Sequence, residues 1–463
     1  MASYKITFGT SGWRERTDSG FNTENVARAA YGIGAYLKKR QDTGVVIVGY
    51  DTREHSKEFA EAVCAVLSGE GLDAIVTNAP TPTPVMSFAV KNRKAAGGII
   101  ITASHNAAAY NGLKFMDIGG INPSVETTDV ITKLIPEDNV AIPEWKPKTT
   151  SVKEEYISAL GKRFDLEKAK GMRIVIDAIH GAGSGYLSTA LKMHGADVIE
   201  LRSDYRSDFG GIAPVPDEGN LQDLMSMVKS SGADLGIACD GDADRFAIVG
   251  NDGKYYTANE SGLMMCDYLF GYRKEKGAVA KSIQSTNAID RLCAKYGVES
   301  KEVAVGFKYI AKELTNGAAF GIEGAAQGVA FGNWILDKDG IAAGAFACEM
   351  IAVEGMPLSK IWMRVSKEFG YGSFVNFAVE KTQANAGVVK RFAGIKAGER
   401  FSGKKVEGIS FLDGVKLNLE GDAWVLLRES GTEPLVRAYV ETKNKGETDL
   451  LAQYTMKFLK AEQ

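Results

Sequence analysis

The chain has 463 residues, a length that predicts two or more domains rather than one core. Its formal net charge of −3 lacks the basic excess of proteins that bind nucleic acid or an anionic membrane. Its five cysteines are odd in number and contain no C-x-x-C pair, which argues against a disulfide framework and a zinc knuckle. No run of 18 apolar residues indicates a membrane span, and we expect a cytoplasmic protein.

The first third of the chain alternates helix and strand signals. Apolar residues recur at helical spacing over 24–40 behind Thr23, which is predicted to cap the helix, and 45–51 has the composition of a buried strand. A second helix is predicted at 57–68, and the apolar start of 97–106 predicts a buried strand that ends in a polar loop. This order is typical of a parallel α/β sheet.

The same pattern restarts near residue 172 and again near residue 278. From about residue 373 it gives way to runs in which apolar and polar residues alternate, as in an antiparallel sheet. We therefore expect three similar α/β domains with mixed, mainly parallel sheets and a C-terminal α+β domain with an antiparallel sheet. The predicted domain boundaries are 1–147, 148–257, 258–371 and 372–463.

Three carboxylates at spacings of two, Asp240, Asp242 and Asp244, follow a predicted buried strand. Such carboxylates repel one another unless a hard cation neutralises them, and an all-oxygen set suits Mg²⁺ or Ca²⁺. A calcium-binding EF-hand is discounted because Arg245 and Asn251 occupy the places of its glycine and bidentate glutamate. A solvated acidic turn is the alternative, and the position at a strand's carboxyl end disfavours it.

The stretch TASHN at 102–106 follows the buried strand of the first domain. A serine hydroxyl is a poor nucleophile until a base, a metal or a phosphoryl group activates it. A Ser-His dipeptide is not a triad, because the base must meet the nucleophile in space. Taken alone, Ser104 and His105 are better explained as parts of a hydrogen-bonded loop.

The stretch RESGTEP at 428–434 lies between two strand-like runs of the last domain. It combines hydroxyls, a glycine and arginine, groups that together can cradle a phosphate. A tight hairpin turn with surface arginines explains it equally well. The candidate anion ligands are Arg428, Ser430, Gly431, Thr432 and Arg437.

Taken together, these loops resemble the α-D-phosphohexomutase superfamily, the phosphoglucomutase and phosphomannomutase enzymes, in the family's order and over essentially the whole chain. The matching motifs are FGTSGWR at 8–14, TASHN at 102–106, DGDADR at 240–245, GFKYI at 306–310 and RESGTEP at 428–434. The resemblance implies four domains around a deep central cleft, with the phosphoserine loop, the metal loop, the sugar loop and the phosphate loop each supplied by a different domain.

The resemblance also implies roles for individual residues. Ser104 carries a phosphoryl group, Mg²⁺ is held by Asp240, Asp242, Asp244 and a phosphoserine oxygen, and a hexose 1,6-bisphosphate intermediate turns over in the cleft. The phosphate that is not reacting is gripped by the five anion ligands of the last domain, and Gly306 and Glu323 contact the sugar. The candidates for proton transfer or charge stabilisation are Arg14, His105, Lys114, Arg245 and Lys308.

Two positions depart from the family pattern. Ala107 replaces a proline after TASHN, which loosens a fixed φ without removing a reactive group. Ala325 stands where the family has a serine in its G-E-x-S-G sugar loop. A lost hydroxyl contact is worth on the order of 1 kcal/mol, so we expect altered sugar selection rather than loss of catalysis.

The expected activity is interconversion of hexose 1-phosphate and hexose 6-phosphate, with glucose first and mannose second. A phosphoglucosamine mutase or a hexose-1,6-bisphosphate synthase is the alternative, and Trp13 together with the absence of a G-E-Q-S-G-H stretch argues against glucosamine. A non-catalytic phosphosugar-binding protein and a plain phosphatase are less favoured. The expected partner is a small phosphosugar, without nucleic acid or membrane, for a monomer or homodimer.

Overall fold

The structure is a computed structural model that describes residues 4–9, 12–41, 44–383, 385–430 and 434–460. It contains four domains, each built around one sheet. Three of the sheets are mixed and the fourth is antiparallel, which confirms the fold class predicted from the sequence.

Domain I has a six-stranded sheet in the order β1-β5-β4-β2-β3-β6. Strands β2, β3, β4 and β6 are parallel, whereas β5 runs antiparallel to β4 and β1 antiparallel to β5. Its elements are β1 (Trp13–Arg16), α1 (Thr23–Lys39), β2 (Val46–Tyr50), α2 (Ser56–Gly69), β3 (Ala74–Thr77), α3 (Thr83–Asn92), β4 (Gly97–Ile101), β5 (Tyr110–Met116), α4 (Val125–Leu134) and β6 (Thr149–Thr150).

The start of α1 differs from the sequence prediction. Asn22 is the N-cap, and its side chain accepts a hydrogen bond from the Asn25 N–H at 3.0 Å. Thr23 is the first helical residue instead, so its predicted role as the cap is wrong. Asn22 has the extended backbone that an N-cap requires.

Domain II has a five-stranded sheet in the order β11-β10-β9-β7-β8, with β7, β8 and β9 parallel. Its elements are α5 (Lys153–Arg163), β7 (Arg173–Asp177), α6 (Leu187–Met193), β8 (Asp197–Leu201), α7 (Gln222–Ser231), β9 (Leu235–Cys239), β10 (Phe246–Gly250) and β11 (Tyr255–Tyr256).

Domain III has a four-stranded sheet in the order β13-β12-β14-β15, in which only β15 is antiparallel. Its elements are α8 (Ala258–Gly271), β12 (Val279–Ser282), α9 (Ala288–Tyr296), β13 (Ser300–Val303), α10 (Phe307–Thr315), β14 (Phe320–Glu323), β15 (Gly328–Phe331), α11 (Gly340–Glu354) and α12 (Leu358–Glu368).

Domain IV has a six-stranded antiparallel sheet in the order β16-β21-β20-β19-β18-β17. Its elements are β16 (Ser373–Glu380), α13 (Val388–Ala393), β17 (Arg400–Phe401), β18 (Lys404–Ser410), β19 (Val415–Leu419), β20 (Ala423–Glu429), β21 (Leu435–Thr442) and α14 (Lys445–Lys460).

One large apolar core holds domains I, II and III together. The rings of Phe88, Tyr156 and Trp334, one from each domain, lie with centroids 5.4 to 5.6 Å apart. Domain IV has its own core and joins domain III through a small cluster that contains Ile283 and Trp424. The first three domains are therefore fixed to one another more extensively than the fourth.

Within the described ranges, no single helix combines the length and the apolar composition of a bilayer crossing; α11 and α12 meet both criteria only as a pair, which is bent by 88°. All five cysteines are buried free thiols.

Candidate active site

Ser104 lies in the loop after β4, at the carboxyl end of the parallel strands. Its side chain is buried, and its backbone adopts φ 53°, in the left-handed region that residues other than glycine rarely occupy. The Ser104 N–H donates to Thr102 Oγ1 at 2.9 Å. Such strain persists only where surrounding contacts fix the loop, and it is common at reactive positions.

Arg53, at the end of β2, supplies those contacts. Its guanidinium is buried and donates to the carbonyl oxygens of Ser104, Asn106, Ala107 and Tyr110 at 2.6 to 2.8 Å. Its Nε donates to Asp51 Oδ2 at 3.0 Å. One side chain therefore shapes the serine loop from end to end, a role that the local sequence from Gly49 to Arg53 does not indicate.

Asp240, Asp242 and Asp244 follow β9 and present carboxylate oxygens that all lie within 4.8 Å of one another. The Ser104 hydroxyl donates to Asp240 Oδ2 at 3.0 Å, so the serine loop of domain I and the acidic loop of domain II share one site. Two buried oxygens, Asp242 Oδ1 and Asp244 Oδ1, find no hydrogen-bond partner among the described residues. An all-oxygen set with unpaired buried oxygens fits Mg²⁺.

The electrostatics of the acidic loop are uneven. Burial, together with the charges of Asp242 and Asp244, raises the pKa of Asp240 well above its usual range. Burial also raises the pKa of Asp244, but Lys338, Lys114 and Arg245 outweigh it, and the pKa ends below its usual range. Cationic side chains thus surround the acidic loop. A divalent ion would weaken the repulsion among the carboxylates, which contributes to the raised pKa of Asp240.

Several predicted cations do surround this loop. Lys114 Nζ, from β5, lies 2.6 Å from Asp242 Oδ2 and 3.5 Å from Asp244 Oδ2. Arg245 Nε lies 4.0 Å from oxygens of both Asp240 and Asp244. The charge of a seryl phosphate would therefore meet fixed positive groups on more than one side.

Arg14 and His105 lie on the domain I side of the site. Arg14 Nη1 donates to Asn106 Oδ1 at 2.9 Å, and His105 Nδ1 lies 3.4 Å from Ser104 Oγ. Burial, followed by the charges of Arg245 and Arg14, lowers the pKa of His105 to about 2. The imidazole is therefore neutral at physiological pH, and so low a pKa makes it a weak base in this environment.

A cavity of about 480 Å³ extends from the acidic loop to domain IV. It brings together predicted site residues from all four domains, with Lys114 from domain I, Asp244 and Arg245 from domain II, and the others from domains III and IV. The predicted residues on its wall are Lys114, Asp244, Arg245, Gly306, Lys308, Glu323, Arg428, Ser430 and Arg437. Gly431 and Thr432, like Thr10 and Ser11 of the first motif, lie outside the described residues.

Arg428 and Arg437 are directly opposite each other on the adjacent antiparallel strands β20 and β21. The N–H of Ser430 donates to the Leu435 carbonyl at 2.9 Å, which closes the base of the turn between these strands. The Arg428 Nε donates to Asp413 Oδ2 at 2.9 Å. Both guanidiniums therefore line the cavity from domain IV, whereas Ser104 belongs to domain I.

The sugar loop after β14 is held by hydrogen bonds of Glu323, Gly324 and Gln327. Glu323 accepts a hydrogen bond from the Gly306 N–H at 2.8 Å. Ala325 packs against the cluster that contains Trp424, whereas Ala326 lies on the cavity wall. The missing hydroxyl that the sequence placed at Ala325 thus falls at a contact between domains III and IV.

Sequence reasoning missed Lys338 and Thr83. Lys338 lines the cavity with Nζ 3.3 Å from Asp244 Oδ2, and Thr83 Oγ1 donates to Asp242 Oδ2 at 2.6 Å. Thr83 follows the loop after β3, so its place beyond a parallel strand was an available signal. Lys338 had none, because it lies in the connection between β15 and α11 and is far along the chain from Asp244.

Comparison with known proteins gives matches along the whole chain. The family models for phosphoglucomutase/phosphomannomutase alpha/beta/alpha domains I, II and III match residues 5–140, 154–253 and 257–369, and the model of the C-terminal domain matches 374–457.

Individual relatives are similar over nearly their full length. A phosphoglucomutase/phosphomannomutase of Thermococcus kodakarensis is 29% identical over 95% of each chain. A probable phosphoglucosamine mutase of Methanopyrus kandleri is 32% identical over 95% of this chain and 94% of the relative, and other archaeal relatives carry the same name. The crystal structure of a Thermus thermophilus protein named as a phosphomannomutase has a TM-score of 0.88, with 30% identity over 99% of each chain.

Proposed function

The chain belongs to the phosphoglucomutase/phosphomannomutase family and is a phosphohexomutase, and we propose that it interconverts the 1-phosphate and the 6-phosphate of a hexose through a phosphorylated Ser104. The observation that carries the proposal is the Ser104 Oγ to Asp240 Oδ2 distance of 3.0 Å. It joins a strained serine to three carboxylates beside a cavity that ends at two arginines.

In the first half-reaction a hydroxyl of a hexose monophosphate attacks the phosphorus of phosphorylated Ser104. The bond from phosphorus to Ser104 Oγ breaks, and the hexose leaves this step as a 1,6-bisphosphate. The proton of the attacking hydroxyl ends on the Ser104 oxygen. His105 Nδ1 lies 3.4 Å from that oxygen and is a candidate relay by position, although its pKa of about 2 makes it a weak base. Positioning and charge stabilisation supply most of what phosphoryl transfer requires.

Asp240, Asp242, Asp244 and an oxygen of phosphorylated Ser104 would hold Mg²⁺, whose charge would lower the barrier to phosphoryl transfer. Lys114 and Arg245 lie close to the same oxygens. Lys338 adds a third cation from domain III.

The bisphosphate must then turn over, so that its other phosphate faces Ser104 and returns a phosphoryl group to it. Arg428, Ser430 and Arg437 are placed to hold the phosphate that is not reacting, and we add Gly431 and Thr432 to this set on the sequence pattern alone. Gly306 and Glu323 would contact the sugar between the two ends. Lys308, which the resemblance assigned to proton transfer or charge stabilisation, lines the same cavity and would act there as a cation. Exclusion of water from the cavity would suppress hydrolysis of the seryl phosphate.

The choice of hexose rests on two observations. Trp13, which argued against glucosamine in the sequence, is only 3% exposed and packs on Phe21 with ring centroids 4.7 Å apart, so it lies within the domain I core. Relatives named probable phosphoglucosamine mutase match along the chain. We therefore place glucosamine phosphate first and glucose and mannose phosphates second.

Other parts of the proposal rest on the sequence. They are a cytoplasmic enzyme with buried reduced cysteines, a monomer or homodimer, and domain boundaries at 257/258 and 371/372. The first boundary, predicted at 147/148, is moved to a point after β6, because Thr149 and Thr150 pair with β3 in the domain I sheet.

The first experiment is intact mass spectrometry of the purified protein. A fraction heavier by one phosphate is expected after incubation with glucose 1,6-bisphosphate, and it should be absent in Ser104→Ala. Failure to detect that species in the unaltered protein would remove the mechanism. Coupled assays with the 1-phosphates of glucosamine, glucose and mannose then give the substrate order, and release of inorganic phosphate instead of product would indicate a phosphatase.

A further inference from the structure

Asp413 lies in the turn between β18 and β19 of domain IV, outside the motifs that the sequence singled out. Its Oδ2 accepts two hydrogen bonds, one from Arg428 Nε at 2.9 Å and one from the backbone N–H of Val305 in domain III at 3.0 Å. Arg428 and Val305 both line the cavity. One carboxylate oxygen therefore joins two domains at the wall of the site.

The turn that carries Asp413 has little freedom to move. Gly414 has φ +79°, and a Cβ at this position would lie 2.3 Å from the carbonyl oxygen of Leu427. Val415 pairs with Leu427 in the register of β19 and β20, one residue before Arg428. The same two strands thus hold the Asp413 carboxylate and the Arg428 guanidinium at a set separation.

On the domain III side, the hydrogen-bonded chain continues to the sugar loop. Gly306, the neighbour of Val305, donates its N–H to Glu323 Oε1 at 2.8 Å. Val305 itself packs against the cluster of Trp424 and Tyr439 in domain IV. Two hydrogen bonds to adjacent backbone N–H groups, together with the Asp413–Arg428 contact, therefore connect an arginine of domain IV with the carboxylate at the sugar loop.

We propose that Asp413 is a positioning residue, which orients the Arg428 guanidinium for the distal phosphate and ties that orientation to the segment at 305–306. This inference rests on the proposed function. A guanidinium binds phosphate through a planar fork, so the direction of its plane decides whether two parallel hydrogen bonds can form. Because Asp413 engages Nε, it fixes that plane from a position behind the residues that line the cavity.

A double-mutant cycle between Asp413 and Arg428 tests the proposal. Asp413→Ala is expected to lower kcat/KM about tenfold, chiefly through a higher KM for the hexose monophosphate, since hydrogen bonds to charged groups are worth this much. In an Arg428→Ala background the same change should cost less than about twofold, because the group it positions is gone. Asp413→Asn keeps an acceptor of the same shape and should recover part of the loss.

A full tenfold cost in both backgrounds, or a fall in kcat at unchanged KM, would overturn the proposal. Asp449→Ala, an exposed aspartate on α14 of the same domain, is the matched control and should leave both constants unchanged. Thermal unfolding shows whether each variant folds. Should Asp413→Ala not fold, the cycle is repeated with Asp413→Asn.

Failure of the proposed function gives a different result. If the unaltered protein turns over none of the hexose phosphates, the cycle is measured by calorimetry on binding of glucose 1,6-bisphosphate. Coupling between Asp413 and Arg428 in that measurement supports the positioning role on its own, and independent effects refute it.

Discussion

Replacement of Arg53 by lysine tests whether the shape of the serine loop controls catalysis. Arg53 is buried, donates to four loop carbonyls and to Asp51, and stacks over the Phe209 ring at 4.9 Å. A lysine ammonium has three donors in no fixed plane. At least two of the five acceptors therefore lose their partner in Arg53→Lys.

Each buried acceptor without a partner costs about 1 to 3 kcal/mol, so two of them cost about 2 to 6 kcal/mol before the loop relaxes. A domain with ordinary stability of about 5 to 15 kcal/mol survives the lower part of that range, and we expect a folded variant with a reduced unfolding midpoint. When the serine loop relaxes in this variant, we expect the Ser104 backbone to leave its left-handed conformation and its Oγ to move. A displacement of about 1 Å lowers turnover about a hundredfold.

The assay compares kcat per folded molecule, well below the unfolding midpoint, with the phosphorylated fraction of Ser104 after incubation with glucose 1,6-bisphosphate. Arg93→Lys is the control, because Arg93 also bridges segments through Nε and both Nη atoms but lies away from Ser104. It should lose stability without losing activity per folded molecule. An Arg53→Lys variant that is less stable yet keeps the original kcat would refute the reasoning.

Three further changes have defined outcomes. Asp242→Asn should lower kcat about a hundredfold or more while KM changes far less, in steady-state assays over a range of Mg²⁺ concentrations, and equal losses in binding and turnover would argue against a metal role. Lys338→Met removes a charge 3.3 Å from Asp244 and should lower kcat at least about tenfold. The control Lys301→Met, at a surface pair with Glu313, should leave kcat unchanged. Equal kcat values for the two variants would contradict a role of Lys338 in the active site. Ala325→Ser should lower the free energy of unfolding by on the order of 1 kcal/mol without changing sugar preference. Ala326→Ser, on the cavity wall, should alter the ratio of glucosamine phosphate to glucose phosphate turnover. The reverse pattern would show that the hydroxyl acts at position 325.

Patterns carried by residue type were readable before the fold was known. The three aspartates are acidic at spacings of two, and their position after a buried strand predicted a cation site, which their approach to within 4.8 Å in the structure supports. Ser104 gained its meaning only in combination with the other motifs, since a Ser-His dipeptide alone favoured an ordinary loop. The period of the apolar residues predicted three α/β domains and an antiparallel fourth, because that period follows from which faces of an element are buried.

Other features had no local signature. Trp13 looked like a determinant of the sugar, but its burial on Phe21 removes it from the cavity. Arg53 and Lys338 are common residue types, and their importance comes from contacts with loops that are distant in the sequence. The serine loop begins 51 residues after Arg53, and Asp244 lies 94 residues before Lys338.

The amino-acid sequence by itself determined the class of fold, the acidic and arginine-bearing loops and the family they resemble, because these depend on residue types at short spacing. Only the tertiary structure decided which strand ends meet, that Asp413 of domain IV bonds to the backbone of domain III, and that Ala326 rather than Ala325 faces the cavity. Those facts depend on the packing of four sheets against one another, and the spacing of residues along one chain does not specify it.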